Sequence, residues 1–519
     1  MTETSTEHRT IDSEPAASWL WRGGRSNLLV FLAWFALILV LKWPTLTQPP
    51  VWDGSMSVFP AAITLAENGF DLGYLLEQPG YPDGGPNVHS ISLVTWLTAA
   101  VIAVVGTGPS LFPVLHVIHF FIAAFAFTGL YRLSELAFGR VLAAATCLTA
   151  LAVPVVLTQV GFMYLEVALL ATAVHAVLAL QCNRIGRAAT FATAAVLIKG
   201  SGLFLAGALA LAVLFTQRRW PEKIRSAALL VAPPTFLSFF LFGRAAVEDT
   251  FTYGIFRWET SWYLRHIPDV MLLLLLFAVA AVVSFRRDSR QPSASRLSIE
   301  PAKSVLTSAA LVVLAFLGFF FVALPLAGRF FSVLPRYYTV VVPFAVLGLA
   351  AVAHRMRVRA IAFAGLAVLL AFSIVNRNGV FYADNDHENF ALIERSGAYL
   401  DLLELQRKGT VALALAGQDV PIFYSHADHY RLSYPEMGYA EKRPMYGFNL
   451  KTDQPYAAGN LRDFPDSFVM LYEWNWLGGE VAKLVWEQAL LDPSREVEER
   501  VISVGSFSST LISVSTRDG

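Results

Sequence analysis

The chain has 519 residues, of which 55% are hydrophobic and 15% charged. Soluble domains carry about 25% charged residues, so this composition excludes a string of soluble domains and indicates a polytopic membrane protein. Basic and acidic residues balance at 39 each, which gives no indication of a nucleic-acid partner. The two cysteines, Cys147 and Cys182, lie in or beside apolar segments, which excludes a disulfide framework.

The N-terminal part is polar up to the first apolar run, and residues 1–26 are predicted to be a disordered cytoplasmic tail. Arg22 and Arg25 precede the run, which places this end in the cytoplasm and makes the run a retained anchor. A long acidic outside loop, 44–109, follows. It is predicted to contain two juxtamembrane helices, 55–68 and Ile91–Val105, because the second apolar run is shorter than the roughly 20 residues of a span.

Positive-inside counting supports this interpretation of the loop. If Ile91–Val105 does not span, sixteen basic residues fall in inside turns and six in short outside turns. The chain then forms about eleven transmembrane helices between residues 27 and 376. The predicted spans are 27–43, 110–131, 141–162, 165–181, 188–199, 201–217, 226–243, 270–285, 305–325, 339–354 and 360–376.

Residues 377–519 have ordinary charge and are predicted to form a small extracytoplasmic α/β domain, because an odd number of spans leaves them outside. The hydrophobic periodicity predicts two helices, Asn389–Gln406 and Gly479–Leu491. It also predicts strands at Thr410–Ala416, Ser467–Leu471, Val497–Val504 and Phe507–Ser515.

Two carboxylates fall at helix starts on the predicted outer face. Asp53 precedes the first juxtamembrane helix, and Glu166 opens the fourth span. A carboxylate there can act as a general base on a substrate hydroxyl. The alternative is that Asp53 caps its helix and Glu166 compensates the helix dipole. No Asp-x-Asp pair accompanies Glu166, so no metal site is predicted.

Three basic groups on the same face are candidates for binding a phosphate. His89 lies in a Gly- and Pro-containing loop before the second juxtamembrane helix. Lys199 stands between two apolar spans, and Arg336 precedes the helix that starts near residue 339. The alternatives are a surface histidine, a lysine that extends to the interface, and an ordinary aromatic belt around Arg336.

Aromatic residues beside these groups are candidates for substrate binding, namely Tyr337 and Tyr338 after Arg336, and Trp258 with Arg257 in an outside loop. Three histidines lie within apolar spans, where polar groups are often functional. We expect them to form hydrogen bonds between helices, because no complete set of metal ligands accompanies them. These residues are His116, His119 and His175.

In the order of these motifs, the chain resembles the GT-C superfamily of polytopic glycosyltransferases that use polyprenyl-phosphate-linked sugars. The nearest branches are the aminoarabinose transferases of lipid A and the protein O-mannosyltransferases. The resemblance covers most of residues 27–354 and rests on Asp53, Glu166, Lys199-Gly200 and Arg336-Tyr337-Tyr338 with Pro343. The close branches carry Lys-Pro-Pro where this chain has Pro86-Asn87-Val88-His89, so His89 is a candidate replacement for the missing lysine.

The resemblance implies an inverting sugar transfer from a polyprenyl phosphate to an acceptor hydroxyl at the outer membrane face. Asp53 is then the expected base, Glu166 an orienting or assisting group, and Arg336, Lys199 and His89 the phosphate ligands. The acceptor would belong to a protein, a glycolipid or a polysaccharide, and no metal cofactor is expected. The competing hypotheses are a transporter or flippase of a lipid-linked or polar substrate, and a non-catalytic assembly or sensor protein.

Overall fold

The structure is a computed structural model. It describes residues 24–50, 54, 58–77, 91–108, 110–215, 219–242, 268–288, 300–320, 335–355, 359–376, 399–424, 431–432, 434, 436, 445–447, 460–473, 479–505 and 507–517.

Helices dominate the chain up to residue 376. The first eight are α1 (Gly24–Lys42), α2 (Phe59–Glu67), α3 (Leu72–Glu77), α4 (Leu93–Val105), α5 (Leu111–Phe138), α6 (Arg140–Ala152), α7 (Pro154–Gly161) and α8 (Leu165–Gln181). The next seven are α9 (Ile185–Ile198), α10 (Gly202–Leu214), α11 (Trp220–Phe242), α12 (Pro268–Asp288), α13 (Glu300–Gly318), α14 (Tyr338–Arg355) and α15 (Arg359–Val375).

Every predicted span except the third overlaps a single helix, because long apolar runs form helices whatever their tertiary surroundings. Three of the described helices are long and apolar enough to cross a bilayer, and these are Arg25–Thr45, Leu111–Phe138 and Pro301–Gly318. The chain is thus a multi-pass membrane protein. The other predicted spans correspond to shorter or less apolar helices, so the count of eleven stays a prediction.

The predicted span 141–162 is not one continuous helix. The chain breaks between α6 and α7, whose axes are bent by 74°. Pro154 is the first residue of α7. Its nitrogen cannot donate a hydrogen bond to the preceding turn, and its ring disfavours helical backbone at Val153, which has φ −57° and ψ 124°. After the bend, α7 ends at Gly161, and the three residues that follow lead to the start of α8.

The predicted loop helices are present as α2 and α4 in the first loop. Helix α4 has 13 residues and reaches about 20 Å at 1.5 Å per residue, short of the roughly 30 Å of hydrocarbon. Its buried face packs with α2 and the start of α5 in one apolar cluster, which includes Ile63, Leu65, Ile102 and Leu115. The helix therefore lies on protein, as its length predicts.

The main core lies between α5, α8 and α14, whose central side chains are fully buried. Phe127, Val174 and Phe344 are representative members. A glycine is required at the turn between α5 and α6, since Gly139 has a φ of 85°, which a residue with a Cβ rarely adopts. The core holds the ends of α8, α9 and α14 in fixed relative positions.

The C-terminal part is a small α/β unit. Its elements are α16 (Tyr399–Ala416), β1 (Ile422–Tyr424), β2 (Met445–Gly447), β3 (Phe468–Glu473), α17 (Gly479–Leu491), β4 (Arg495–Val504) and β5 (Phe507–Thr516). The strand order is β2-β1-β3-β5-β4. Strand β1 runs parallel to β2 and β3, while β5 runs antiparallel to β3 and β4.

The two faces of this sheet are covered by different helices. Alternate residues of β3 point to opposite faces, so Leu471 packs with Leu413 of α16 and Met470 packs with Val485 of α17. The start of α16 also packs on the helical part, where Tyr399 and Leu402 share a cluster with Phe162. The sheet is thereby attached to the segment between α7 and α8.

The predicted strand Thr410–Ala416 is wrong, because these residues continue α16. The stretch alternates apolar and small residues, which suits a strand, and Gly409 precedes it. The buried positions of α16 nevertheless recur at helical spacing through the glycine, as Leu402, Gln406, Gly409 and Leu413 show. The other predicted strands and the helix Gly479–Leu491 are confirmed, with ends that differ by up to two residues.

Candidate functional site

Three of the predicted site residues meet at one place. The Lys199 Nζ lies 2.6 Å from the Glu166 Oε1, which accepts its hydrogen bond. The Arg336 Nε lies 3.8 Å from the same oxygen. All three side chains are largely buried, with exposed fractions of 13% for Lys199, 5% for Glu166 and 7% for Arg336. We call Glu166, Lys199 and Arg336 the ionic cluster.

Each member lies at an element boundary. Glu166 is in the first turn of α8, where the helix dipole favours a negative charge. Lys199 directly follows the last residue of α9. Arg336 is the middle residue of a 3₁₀ turn, Pro335–Tyr337, that leads into α14. Ends of three helices therefore converge on one carboxylate.

The turn that carries Lys199 depends on a close approach between α9 and α10. A Cβ built on Gly202 would overlap the backbone of Ala195, so this position admits only glycine without a shift of the helices. The backbone N–H of Gly202 donates to the carbonyl of Lys199 at 2.8 Å. Helices α9 and α10 are therefore joined by a tight turn at Lys199.

Aromatic rings surround the two cations. The Lys199 Nζ lies 4.5 Å from the centroid of the Tyr337 ring. The Arg336 guanidinium carbon lies 5.3 Å from the Tyr164 ring and 5.6 Å from the Tyr337 ring. Phe320 stacks on Tyr337 at 4.9 Å. Such rings stabilise cations and exclude water, and their faces can also stack on a sugar.

The ionic cluster sets one carboxylate against one ammonium and one guanidinium in a largely buried place. Dipole compensation alone does not account for Glu166, and extension to water does not account for Lys199, since both are paired inside the protein. Arginine and lysine are also the side chains that commonly bind phosphate groups.

The three membrane histidines form the expected hydrogen bonds to other segments. Each donates from its Nε2 to a backbone carbonyl oxygen. His116 donates to Gln48 at 2.9 Å, His119 to Gln159 at 3.2 Å, and His175 to Phe125 at 3.0 Å. Among the residues that the structure describes, no group of three or more His, Cys, Asp or Glu side chains is placed to hold a metal ion.

Four predicted site residues lie outside the described residues, and these are Asp53, His89, Arg257 and Trp258. Gly54, the chain neighbour of Asp53, is described. A Cβ on Gly54 would lie 3.6 Å from the Tyr164 Cε1. Tyr338 is fully buried in the main core, whereas Tyr337 is half-buried beside Lys199.

Sequence reasoning missed Tyr164 and Phe320 as neighbours of the cations. The position of Tyr164, two residues before Glu166 at the start of α8, was the available signal. It also missed Lys42 at the end of α1, which is only 7% exposed. A lysine in the last turn of the first span usually reaches water, so its burial is visible only in the tertiary structure.

No protein-family model matches the sequence, and no curated protein matches it. Solved structures do match it, among them two of ArnT that match over nearly their whole length. ArnT from Cupriavidus metallidurans in the apo state has a TM-score of 0.52 and 14% sequence identity, covering 94% of this chain and 98% of that chain. ArnT from Cupriavidus metallidurans bound to undecaprenyl phosphate has a TM-score of 0.48 and 15% identity, covering 96% and 98%, respectively.

At this level of identity the likeness to the apo structure concerns the fold alone. The match covers 94% of this chain, so it includes most of the helical part and most of the α/β unit. The expected fold class is thus confirmed, and the chain shares the fold of this ArnT structure.

Proposed function

We propose that this protein is a membrane glycosyltransferase that moves a sugar from a polyprenyl-phosphate donor to an acceptor hydroxyl at the outer membrane face. The observation that carries this proposal is the ionic cluster, in which two cations share one carboxylate between aromatic rings. The shared fold supports it, since the cluster is formed by residues of the motifs on which the GT-C resemblance rests.

In this proposal Lys199 and Arg336 stabilise the phosphate that leaves. The bond between the anomeric carbon and the phosphate oxygen breaks, and the electron pair stays on the polyprenyl phosphate. Negative charge develops on that oxygen in the transition state, and preorganised buried cations stabilise it without reorganisation. Arginine and lysine can supply this charge without a metal ion, so we propose a metal-independent reaction.

Asp53 is the proposed base. It takes the proton of the acceptor hydroxyl as the new bond forms on the opposite face of the anomeric carbon, which inverts the configuration. Gly54 follows Asp53 in the chain, and a Cβ on Gly54 would touch the Tyr164 ring. The same ring faces Arg336, which supports this assignment. We assign Glu166 to positioning the two cations, since its Oε1 accepts the Lys199 hydrogen bond and a carboxylate so held is a poor base.

The remaining predicted residues keep proposed roles in substrate binding. His89 would contact the donor phosphate, Trp258 and Tyr337 would stack on sugar rings, and Arg257 would bind an anionic part of a substrate. Tyr338 is buried in the main core next to Tyr337 in the chain, and it would hold Tyr337 in position for substrate binding. The acceptor hydroxyl would belong to a protein, a glycolipid or a polysaccharide.

The test uses purified protein in nanodiscs, incubated with a panel of radiolabelled polyprenyl-phosphate sugars and crude membrane acceptor. Consumption of one donor by the wild type and its loss in Asp53→Asn would support the transferase. Asp71→Asn is the matched control, because Asp71 lies in the same loop and its exposed carboxylate accepts a hydrogen bond from the backbone N–H of Tyr74. Equal donor consumption by Asp53→Asn and the control would refute the role of Asp53.

A transporter or flippase is the second candidate, and the break between α6 and α7 favours it, since discontinuous helices form substrate sites in many transporters. The same panel of donors, enclosed in proteoliposomes with the protein, distinguishes the two. Movement of an intact donor across the bilayer without release of its sugar would support transport. Release of polyprenyl phosphate would support transfer.

A further inference from the structure

A second buried cation lies outside the ionic cluster. Lys42 is the last residue of α1 and is 7% exposed. Its Nζ lies 5.6 Å from the centroid of the Tyr399 ring. Within the part of the chain that the structure describes, no carboxylate pairs with this ammonium. A buried ammonium without an anion is strongly unfavourable, so an anionic ligand would stabilise this arrangement.

A neutral hydrogen-bond donor faces the same place. Tyr399 is 2% exposed, and its hydroxyl is buried without a hydrogen-bond partner among the described residues. Burial raises the pKa of Tyr399, which keeps the hydroxyl protonated and able to donate. A Cβ on Gly161 would lie 3.2 Å from the Lys42 Nζ and 2.5 Å from the Tyr399 hydroxyl oxygen. Because Gly161 has no Cβ, both donors can approach the same point of the backbone.

This place is within reach of the bilayer. Val40 is 73% exposed and Trp43 is 64% exposed, so an apolar surface of α1 ends beside Lys42. Tryptophan is typical of the boundary between hydrocarbon and headgroups. A lipid whose chains lie on α1 would bring its headgroup to the depth of Lys42.

We propose that Lys42 and Tyr399 bind the phosphate group of a membrane lipid at a site separate from the ionic cluster. A phosphate accepts several hydrogen bonds and pairs with lysine as a point charge. The ionic cluster already contains a carboxylate, whereas the Lys42 site is built from donors only. The exposed surface of α1 favours a lipid over free phosphate as the source of the anion.

Such a ligand would connect three segments of the chain. Lys42 ends α1, Gly161 ends α7 and Tyr399 begins α16. Tyr399 also packs on Phe162 at 4.4 Å, and Phe162 packs on Tyr164 at 5.1 Å. The lipid would therefore strengthen the contact between the α/β unit and the segment that leads to Glu166.

The test counts bound lipids on purified, delipidated full-length protein by native mass spectrometry during titration with dioleoyl phosphatidic acid. We expect the wild type to bind one molecule of phosphatidic acid at this site. Lys42→Met should lower the affinity at least tenfold, and Lys42→Arg should restore the affinity. Dioleoylglycerol, which has the same chains and no phosphate, should show no dependence on Lys42. The readout is a lipid mass, so it is independent of whether the protein transfers sugar.

The matched control is Lys223→Met. The Lys223 Nζ also lies over an aromatic ring, that of Trp220 at 5.1 Å, but it donates to the carbonyl oxygen of Leu214 at 2.8 Å. Its removal should leave the lipid count unchanged. Tyr399→Phe keeps the ring and removes one donor, and we expect it to weaken binding by about tenfold or more, in the range of one hydrogen bond to a charged group.

Three outcomes would overturn the proposal. Equal lipid affinity in the wild type and a folded Lys42→Met would show that Lys42 binds no lipid phosphate. If Lys42→Met does not fold, unchanged affinity in Tyr399→Phe would have the same meaning. Displacement of the bound lipid by millimolar inorganic phosphate would assign the site to free phosphate and refute the lipid.

Discussion

At the scale of single residues, Glu166 holds two cations that would otherwise repel each other. The three side chains are almost completely buried, so loss of the carboxylate removes the negative charge that Lys199 and Arg336 share in a low-dielectric place. We expect Glu166→Gln to lower the free energy of unfolding by about 3 kcal/mol or more. We also expect it to abolish donor consumption. Thermal unfolding in detergent and the donor assay measure the two effects.

The control for this prediction is Glu135→Gln. Glu135 also pairs with two cations, Arg132 at 2.6 Å and Arg140 at 3.0 Å, but it lies in the last turn of α5, away from the ionic cluster. The substitution Glu135→Gln should destabilise the protein and leave donor consumption intact. Loss of activity in both variants to the same extent would indicate general unfolding and contradict a specific role for Glu166.

A double-mutant cycle tests the pairing itself. Lys199→Met in the Glu166→Gln background removes a charge that has already lost its partner. We therefore expect the double variant to be more stable than the sum of the two single losses predicts, with an interaction energy of about 1–3 kcal/mol. Additive losses in thermal stability would show that the 2.6 Å contact contributes nothing.

The ring of Tyr337 offers a test of the aromatic surroundings. Tyr337→Phe keeps a ring face near the Lys199 Nζ and the Arg336 guanidinium, whereas Tyr337→Leu removes it. A desolvated cation–π contact contributes about 2 kcal/mol. We expect Tyr337→Leu to weaken donor binding by at least tenfold and Tyr337→Phe to change it little. Equal dissociation constants for the two variants would show that the ring face is not used.

At the scale of elements, the hairpin between α9 and α10 positions Lys199. Because a Cβ at residue 202 would overlap the backbone of Ala195, we expect Gly202→Ala to separate the two helices and move Lys199 away from Glu166. Melting temperature and donor consumption should both fall. Gly207→Ala in the same helix is the control, since its Cβ meets nothing within 4 Å and should stabilise the helix by up to about 1 kcal/mol.

Two elements show why local patterns fail at particular residues. Helix α16 passes through Gly409 because its buried face continues to Leu413 against the sheet, and this packing outweighs the weak helix preference of one glycine. The predicted third span breaks because Pro154 begins α7. In a longer apolar run, a proline can kink a helix or end it, and only the neighbouring helices decide which occurs.

At the scale of the whole molecule, the proposed topology places the ends of the chain on opposite sides of the bilayer. Cysteine labelling tests this, because Cys147 and Cys182 are both buried and should react little. We expect an impermeant maleimide to label Ser494→Cys, in the α/β unit, on intact cells. Ser304→Cys, in the first turns of α13, should be labelled only after permeabilisation. The reverse pattern would invert the topology.

The sequence by itself determined the class of protein, the positions of most helices and strands, and the candidate residues. These follow from apolar runs, periodicity and charge, which act within a few neighbouring residues. Glu166, Lys199 and Arg336 could be named as candidates because each stands at the end of an apolar run.

Only the tertiary structure decided that these residues share one carboxylate oxygen, that Tyr337 faces Lys199 while Tyr338 enters the core, and that Lys42 is buried against Tyr399. The physical reason is that such contacts join segments far apart in the chain. Their geometry depends on the crossing of whole helices, which small residues such as Gly202 and breaks such as Pro154 set together.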